Sequence, residues 1–251
     1  AEPYIEATLR SVLAQSFRQF EIIVVDDCSS DATAQIVQRL AAEDARIRFI
    51  GLTQNRGAPA GPRNVGIRAA RGGWIALLDN DDIWHPEKLR CQMEALTATG
   101  ARFCSTQMLD FVDERRLAFT APTAFNIERI GFLKQLVKPR TPTSSVLVDK
   151  DLVSRYPFNE CPSFKGREDL DCWLHCHEEL GSSIKVRHPL LGYRVIPGQI
   201  SGQKGVMMRR HFHVLRRYRL QSGRGLGAGA FLFTCSHFLF SLYYRVLKKA
   251  L

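Results

Sequence analysis

An apolar run of five residues, Trp74–Leu78, is followed at once by Asp79-Asn80-Asp81-Asp82. An uninterrupted apolar run is typical of a strand that is covered on both faces of a sheet. The three carboxylates then lie at the carboxyl end of that strand, which is the edge where α/β sheets bind ligands. Carboxylates this close raise one another's pKa unless a cation or hydrogen-bond donors compensate. The segment therefore predicts an α/β fold with either a ligand site or a capped turn at this edge.

Two interpretations of these acidic residues fit the sequence. In the first, Mg²⁺ or Mn²⁺ binds them and shares its other positions with the phosphate oxygens of a substrate, because hard cations prefer oxygen ligands. In the second, the segment is a turn in which an Asp caps the helix that begins near Pro86. Four residues do not separate the two interpretations, and the rest of the chain favours the cation site.

The hydrophobic pattern up to Gln107 alternates between helix and strand periodicity. This alternation predicts an α/β domain with a twisted, mostly parallel, Rossmann-like sheet and flanking helices. The predicted strands here are Glu21–Asp26, Arg46–Leu52, Trp74–Leu78 and Ala101–Thr106, and the predicted helices are Pro3–Gln15, 31–43, Arg63–Arg71 and 86–99. Further along, the predicted helices are Glu128–Val137, Leu170–Leu180, Met207–Gln221 and Ala230–Leu247. A strand is predicted at Ser145–Val148, and Ile184–Ile196 is predicted to form one or two strands.

Charge is unevenly distributed along the 251 residues. No Asp or Glu follows Glu179, and residues 180–251 carry a formal charge of +13, which leaves −3 for residues 1–179 out of a total of +10. A cationic segment of this kind predicts an anionic partner, such as a membrane surface, a phosphorylated substrate or a nucleic acid. Its Arg-rich helix lacks a recognisable nucleic-acid reader motif, so no nucleic acid is expected.

The final predicted helix, Ala230–Leu247, has the length of a membrane span but carries Thr, Cys, Ser, His and two Tyr residues. A spanning helix of about 20 residues is usually more uniformly apolar. Between basic flanks, this composition is typical of a helix that lies in the membrane interface. Packing on the rest of the chain, or a contact within a homo-oligomer, explains it equally well. Residues 205–251 are therefore expected to meet an anionic membrane or another protein surface.

The seven cysteines are scattered and odd in number. This usage predicts reduced thiols and a cytoplasmic location, with peripheral binding at the inner face of the membrane left open. The chain begins at Ala1, within the first turn of a predicted helix and without an initiator Met. We interpret this as a trimmed amino terminus.

Four segments occur in a characteristic order and at sensible spacings. They are Tyr4–Thr33, Asn55–Ile67, Trp74–Leu89 and Gly166–Leu174, with a weaker fifth at Leu190–Ser201. On these segments the chain resembles the family 2 glycosyltransferases of the GT-A fold, of the inverting and non-processive bacterial type. The resemblance implies a catalytic domain over 1–203, with a nucleotide-binding half to about 106 and an acceptor half from about 107, followed by a basic helical extension over 204–251. The family's usual first strand would precede the opening helix, and we expect it to be missing from this chain.

The resemblance also implies which residues contact the nucleotide. The aspartate that matches Asp27 hydrogen-bonds the base or ribose, a role that suits a carboxylate at the end of a strand. Arg63 and Asn64 open a helix whose free N–H groups and guanidinium suit a phosphate, although Arg63 equally suits a structural pair with Asp79. Arg194 belongs to the segment that closes over the nucleotide in the family.

The remaining implied roles are catalytic. Asp79-Asn80-Asp81 matches the Asp-x-Asp motif, so that Asp81, together with Asp79, would bind Mn²⁺ or Mg²⁺. Glu168-Asp169 matches the Glu-Asp pair that begins a helix and supplies the general base, and we expect Asp169 to be that base. The alternative for Glu168 is a favourable interaction with the positive end of the helix dipole.

The implied activity is metal-dependent transfer of a sugar, of the hexosyltransferase type, from a nucleotide-diphosphate donor to an acceptor hydroxyl. UDP is the expected nucleotide, and the expected acceptor is a glycan or lipid-linked glycan in cell-surface polysaccharide or glycolipid synthesis. The alternatives are a catalytically silent module with the same fold and a sugar nucleotidyltransferase. The joint presence of Asp27, Asp81 and Asp169 argues against the first, and the lack of a Gly-rich, Arg- or Lys-bearing loop after a first strand argues against the second.

Overall fold

The computed structural model describes residues 1–199 and 203–250. The strands, in chain order, are β1 (Ile22–Asp26), β2 (Ile47–Gly51), β3 (Trp74–Ala76), β4 (Ile83–Trp84), β5 (Phe103–Phe111), β6 (Ile127–Gly131), β7 (Leu147–Asp149) and β8 (Ser182–Arg194). The helices are α1 (Ile5–Leu13), α2 (Thr33–Glu43), α3 (Ala60–Ala69), α4 (Lys88–Thr99), α5 (Phe132–Val137), α6 (Lys150–Arg155), α7 (Glu168–Leu180), α8 (Lys204–Arg217) and α9 (Gly229–Ala250).

The strands form a small parallel sheet and a larger mixed sheet. β1 and β2 pair in parallel, from Ile22 opposite Ile47 to Asp26 opposite Gly51. The larger sheet has the order β3-β7-β5-β8-β4, and β6 also pairs with β8. β5 and β8 are parallel, whereas β7 runs against both β3 and β5, and β4 and β6 run against β8. The α/β class is confirmed, but the prediction of a mostly parallel sheet is corrected to a mixed one.

Two of the differences between predicted and observed elements lie in the second half of the chain, and the sequence also did not predict β4 or α6. β7 enters between β3 and β5 and runs antiparallel to them, and a short apolar strand has the same hydrophobic pattern in either direction. The predicted helix Glu128–Val137 is wrong over its first turn, because residues up to Gly131 belong to β6 and the helix begins at Phe132. A segment this short fits the periodicity of a strand and of a helix equally well.

A cluster of buried side chains joins the two sheets. α1 contributes Ile5, Leu9 and Val12, which pack with β1 and β2 on one side and with Trp84 and Leu191 of the larger sheet on the other. Burying each of these side chains is worth roughly 1.5–3 kcal/mol. A second cluster surrounds Trp173 of α7 and includes Ile75 of β3. These two cores hold β1, β3 and α7 in fixed relative positions.

The two C-terminal helices pack on the domain through a third cluster. Val214 and Leu215 of α8, Tyr218 just after that helix and Ala230 of α9 lie against side chains of α5 and α7. The Ser236 hydroxyl of α9 donates to the carbonyl of Val137 at 2.6 Å. Packing on the protein, one of the alternatives for the last helix, is therefore observed for one face of α9. Within residues 1–199 and 203–250, no helix combines the length and the hydropathy that a membrane span requires.

Lys88 at the start of α4 is buried with its charge-bearing end inside the fold. Its side chain is fully buried, and Nζ lies 2.7 Å from Oε1 of Gln92. Nζ also lies 4.0 Å from the ring centroid of Trp84, an arrangement that favours the charged form. Burial outweighs this contact and lowers the pKa of Lys88 to about 7 from 10.5.

This lowered pKa predicts a pH dependence of stability. Between about pH 7 and pH 10.5, the unfolded chain keeps the Lys88 proton and the folded chain loses it, so the free energy of unfolding rises with pH. The slope approaches about 1.4 kcal/mol per pH unit for one proton. Lys88→Met should remove this rise relative to wild type in denaturant titrations at several pH values. The exposed-site control Lys134→Met should retain it, and equal slopes for Lys88→Met and wild type would contradict the assignment.

Candidate active site

The acidic segment forms a turn just beyond the end of β3. The chain leaves β3 alongside residues 144–146, where Leu77 N donates to the Val146 carbonyl at 3.3 Å and Asp79 N donates to Ser144 Oγ at 3.0 Å. Asp82 N then donates to the Asp79 carbonyl at 3.3 Å, and β4 begins one residue later. The carboxylates therefore lie at the carboxyl end of a buried strand, as the apolar run predicts.

The carboxylates of this turn differ in burial and in charge state. Asp82 is 1% exposed, and one of its carboxylate oxygens accepts from Arg194 N at 2.9 Å. Burial, together with the charges of Asp79 and Asp81, raises the pKa of Asp82 to about 7. Asp81 is partly exposed, and its pKa is also raised, first by burial and then by the Asp79 charge. Burial and the repulsion among these carboxylates thus disfavour the charged forms of Asp81 and Asp82.

Arg63 links this turn to the start of α7. One Nη atom lies 2.6 Å from Asp79 Oδ1, and the other lies 2.9 Å from Glu168 Oε1. Its side chain is 14% exposed and that of Glu168 only 3%. Burial alone would lower the pKa of Arg63, but the charges of Asp79 and Glu168 outweigh it and raise that pKa. The structural pair with Asp79, left open by the sequence, is present, and it extends to a second carboxylate.

Glu168 and Asp169 begin α7 but face different surroundings. Burial and the neighbouring Asp169 charge raise the pKa of Glu168, and Arg63 only partly offsets this rise. Asp169 is less buried, and one of its oxygens accepts from the Thr143 hydroxyl at 3.1 Å. Since Ser144 binds Asp79 N, two adjacent hydroxyl residues contact both acidic segments. Asp79 and Asp169 therefore line one site.

Asn64 lies beside Arg63 but points into the protein. The residue is 4% exposed, and its amide nitrogen donates to the Phe158 carbonyl at 2.8 Å and to Glu160 Oε1 at 2.9 Å. Its amide oxygen accepts from Phe158 N at 2.9 Å. Both amide hydrogens are thus used to hold the segment that leads to α7. A contact between Asn64 and a nucleotide stays a prediction, and the Asn64 side chain has no spare hydrogen-bond donor for it.

Asp27 follows β1 and remains partly exposed. One carboxylate oxygen accepts from Arg56 N at 2.8 Å, and the Asp27 carbonyl accepts from the Asn55 amide at 2.9 Å. Cys28 has a positive φ of 64°, a conformation uncommon outside glycine, which turns the chain sharply after the strand. Asp27 is thereby fixed at the end of β1, with its second oxygen available to a ligand.

Arg194 is buried beneath the acidic turn. Its guanidinium carbon lies 4.6 Å from the ring centroid of Tyr4 and 4.5 Å from that of Phe111, and Nε donates to the Asp81 carbonyl at 2.7 Å. Glu114 pairs with the same guanidinium at 3.1 Å. Arg194 therefore holds the main chain of the turn, and direct contact with a nucleotide stays a prediction. Part of the predicted closing segment, Ile200–Ser201, lies outside the described residues.

The donor set suits a hard divalent cation that also binds a substrate. Asp81 offers a carboxylate that forms no ion pair with the described residues, and Asp79 has one oxygen outside its pair with Arg63. No group of three potential ligands from His, Cys, Asp and Glu converges anywhere in 1–199 or 203–250. A site with one or two carboxylates fits Mg²⁺ or Mn²⁺ that takes its other ligands from substrate phosphates and water. The residues present therefore fit the expected metal.

Sequence comparison identifies relatives over most of the chain. The sequence model described as "Glycosyl transferase family 2" matches residues 1–155. TuaG of Bacillus subtilis (strain 168), whose name places it in teichuronic acid biosynthesis, is 30% identical over 225 residues, which cover 86% of this chain and 83% of TuaG. WfgD of Escherichia coli, named a UDP-Glc:alpha-D-GlcNAc-diphosphoundecaprenol beta-1,3-glucosyltransferase, is 30% identical over 218 residues, which cover 86% of this chain and 81% of WfgD.

Structural comparison supports the same fold. The mannosyltransferase PcManGT from Pyrobaculum calidifontis, solved in complex with GDP-Man and Mn²⁺, superposes with a TM-score of 0.66. The match covers 93% of this chain and 66% of PcManGT at 17% sequence identity. At this identity the similarity is evidence for the fold and not for the ligands of this chain.

The contact between Arg63 and two carboxylates predicts a large cost for its removal. Arg63→Met should lower the free energy of unfolding by about 3 kcal/mol or more, because it leaves Glu168 charged and buried without a partner. Arg63→Met combined with Glu168→Gln should recover part of this loss, since no buried charge then remains unpaired. Denaturant unfolding at neutral pH measures both variants.

A matched control is available at the surface. Arg71 pairs with Glu21, but its side chain is 76% exposed. Arg71→Met should therefore cost less than about 1 kcal/mol. If Arg63→Met were as mild as Arg71→Met, the contact would not have the structural role assigned to it.

Proposed function

The chain belongs to glycosyl transferase family 2 and is a glycosyltransferase, and we propose that it moves a sugar from a nucleotide-diphosphate donor to an acceptor hydroxyl with inversion. The observation that carries this proposal is the meeting of two acidic segments, since Arg63 joins Asp79 to Glu168 and Thr143 contacts Asp169. A leaving diphosphate needs neutralisation on one side of the sugar, and an attacking hydroxyl needs a base on the other. The site offers groups for both.

The proposed donor is UDP-linked. The name of WfgD specifies a UDP-linked sugar, and the segments that carry the family resemblance include the ends of β1 and β3. Asp27 at the end of β1 would accept a hydrogen bond from the ribose or base. Arg63 and Arg194 place positive charge behind the acidic turn, where it would offset part of the charge of a diphosphate.

A divalent cation, Mn²⁺ or Mg²⁺, is the proposed cofactor. Asp81 would hold it, with Asp79 as a direct ligand or through water, and the Mn²⁺ of PcManGT supports the choice of ion. When bound, such an ion neutralises negative charge on the departing diphosphate. Asp82 and Arg194 would then position the ligands, because Asp82 binds Arg194 N while the Arg194 side chain binds the Asp81 carbonyl.

Asp169 is the proposed general base. It would take the proton from the acceptor hydroxyl as that oxygen attacks the anomeric carbon and the bond from that carbon to the diphosphate oxygen breaks. Its position at the start of α7 is fixed by the Thr143 hydroxyl, which donates to one carboxylate oxygen, and by Leu170 N, which donates to the other at 2.8 Å. Each oxygen keeps a second lone pair for the acceptor hydroxyl. Glu168 is engaged by Arg63 and almost wholly buried, so it is a poorer candidate for the same role.

The proposed acceptor is a glycan hydroxyl, either free or carried on a lipid. WfgD is named for an acceptor linked to diphosphoundecaprenol, and TuaG is named for teichuronic acid biosynthesis. We place the enzyme in the cytoplasm, with access to the inner face of the membrane, where a lipid-linked acceptor would present its sugar. The cationic residues 205–251 are the proposed contact with that surface.

Replacement of the base should separate catalysis from binding. Asp169→Asn should reduce transfer by about 10²-fold or more while UDP still binds, because the variant removes proton acceptance and keeps the side-chain shape. Asp171→Asn on the same turn of α7 is the control for lost helix-dipole charge and should retain most activity. Transfer is measured by release of UDP in the presence of acceptor. Full turnover by Asp169→Asn would exclude it as the base.

Donor binding should depend on the metal through Asp81. Titration calorimetry of UDP with Mn²⁺ should give an affinity at least about tenfold higher than with a chelator, a difference of about 1.4 kcal/mol. Asp81→Asn should bind UDP with the same low affinity in both conditions, whereas the surface control Asp44→Asn should behave as wild type. Equal UDP affinity of the wild type with Mn²⁺ and with chelator would exclude the proposed cofactor.

A further inference from the structure

The helix α9 has two faces with opposite environments. Ala230 and Thr234 are buried, and Ser236 binds the Val137 carbonyl, so one face is held against the domain. The other face carries large apolar side chains that are between 47% and 64% exposed. They are Phe231, Leu232, Phe238, Leu239, Leu242 and Tyr243. At 3.6 residues per turn these six side chains share one continuous stripe.

No charged residue interrupts this stripe. The sequence has no Asp, Glu, Lys or Arg between Arg224 and Arg245, a segment that includes the whole stripe. An apolar stripe of this size costs free energy in water, and soluble proteins seldom leave one exposed without a partner. The stripe therefore indicates a binding partner with an apolar region in which aromatic and aliphatic side chains can be buried.

The sequence of the C-terminal helical segment is strongly cationic. Residues 204–251 contain ten basic residues and no acidic one. Arg209, Arg216 and Arg217 of α8 are exposed and form no ion pair within the part of the chain that the structure describes. Beyond the stripe, the sequence continues with Arg245, Lys248 and Lys249. The segment therefore combines an apolar stripe with basic residues and supplies no acid of its own.

We propose that this face of α9 docks on an anionic lipid bilayer, with the helix axis parallel to the membrane plane. Phe231, Leu232, Phe238 and Leu239 enter the boundary between headgroups and acyl chains, while the nearby basic side chains contact lipid phosphates. An interfacial helix with an apolar face and Lys or Arg at its borders binds in this manner. The face that packs on α5 and α8 stays on the protein, so the helix is half in contact with lipid and half with the domain.

A second copy of the chain is the less favourable occupant. Association of two identical faces would bring together two segments, residues 204–251 of each copy, that each carry ten basic residues and no acidic one. Like-charge contact of this kind opposes association, whereas the negative surface potential of a bilayer favours it. Charge complementarity therefore favours a bilayer over a second copy as the partner of this face.

The docking mode also orients the active site. His237 on the protein side of α9 lies 3.4 Å from an Nη atom of Arg167, which precedes Glu168 and Asp169. A helix is about 10 Å across, so the start of α7 lies about one helix diameter from the proposed lipid surface. This step rests on the proposed function, because it places the base where a lipid-linked acceptor would present its hydroxyl.

Vesicle binding tests the docking face without donor or acceptor, so its outcome does not depend on the transfer reaction. The full chain is sedimented with vesicles of phosphatidylcholine alone or mixed with phosphatidylglycerol, at low and at high salt. Wild type should bind the mixed vesicles at least about tenfold more strongly than the neutral ones, and high salt should weaken that binding. Phe238→Ser combined with Leu239→Ser should weaken it by at least about tenfold, because each lost side chain removes a buried apolar group.

The controls separate docking from folding and from self-association. Val112→Ser replaces an apolar side chain that is 73% exposed on another element, and it should bind vesicles as wild type does. The double variant should keep the wild-type melting temperature, since both side chains face outward. Unchanged vesicle binding by a folded double variant would overturn the proposal. If wild type forms a dimer and does not bind vesicles, and if the double variant is monomeric, this face contacts a second copy instead of a bilayer.

Discussion

The guanidinium of Arg63 is the interaction on which the arrangement of the site depends. It neutralises part of two carboxylates that come from distant parts of the chain, Asp79 after β3 and Glu168 at the start of α7. Neither carboxylate would be stable this close to the other without a cation between them, and a buried charge without a partner is strongly destabilising. The link therefore fixes the distance between the acidic turn and the helix that carries Asp169.

This link neutralises only part of the local charge, and the remainder has a chemical consequence. Asp79, Glu168 and Asp169 lie around the Arg63 guanidinium, and Asp81 belongs to the same turn as Asp79. The pKa values of Asp81 and Glu168 are raised by burial and by neighbouring charge. An excess of carboxylates over internal cations favours the binding of a metal from outside. Under the proposed function, a divalent ion would arrive with the substrate and offset this charge, while Arg63 keeps Asp79 and Glu168 together in its absence.

The sequence could predict the parts of this site that carry a local signal. An apolar run before Asp79, and acids at the start of a helix at Glu168, are visible without any knowledge of the fold. The contributions of Thr143 and Ser144 are not, because hydroxyl residues in a Pro-containing loop read only as a turn. The sequence alone also does not predict the direction of β7 or the presence of strand β6, since both depend on pairing partners far away in the chain. Long-range pairing, rather than local propensity, set these features.

The separation of charge between residues 1–179 and residues 180–251 has a physical consequence in this arrangement. If acidic side chains were mixed into residues 180–251, the arginines of α8 would pair within the protein and lose their attraction for an anionic surface. If those arginines lay beside the acidic turn, they would compete with a metal for Asp81. Packing of α8 and α9 on α5 and α7 attaches the cationic segment to the helix that carries Asp169. Under the proposed function, one molecule would bind a divalent cation beside Asp81 and a negative surface through its C-terminal helices.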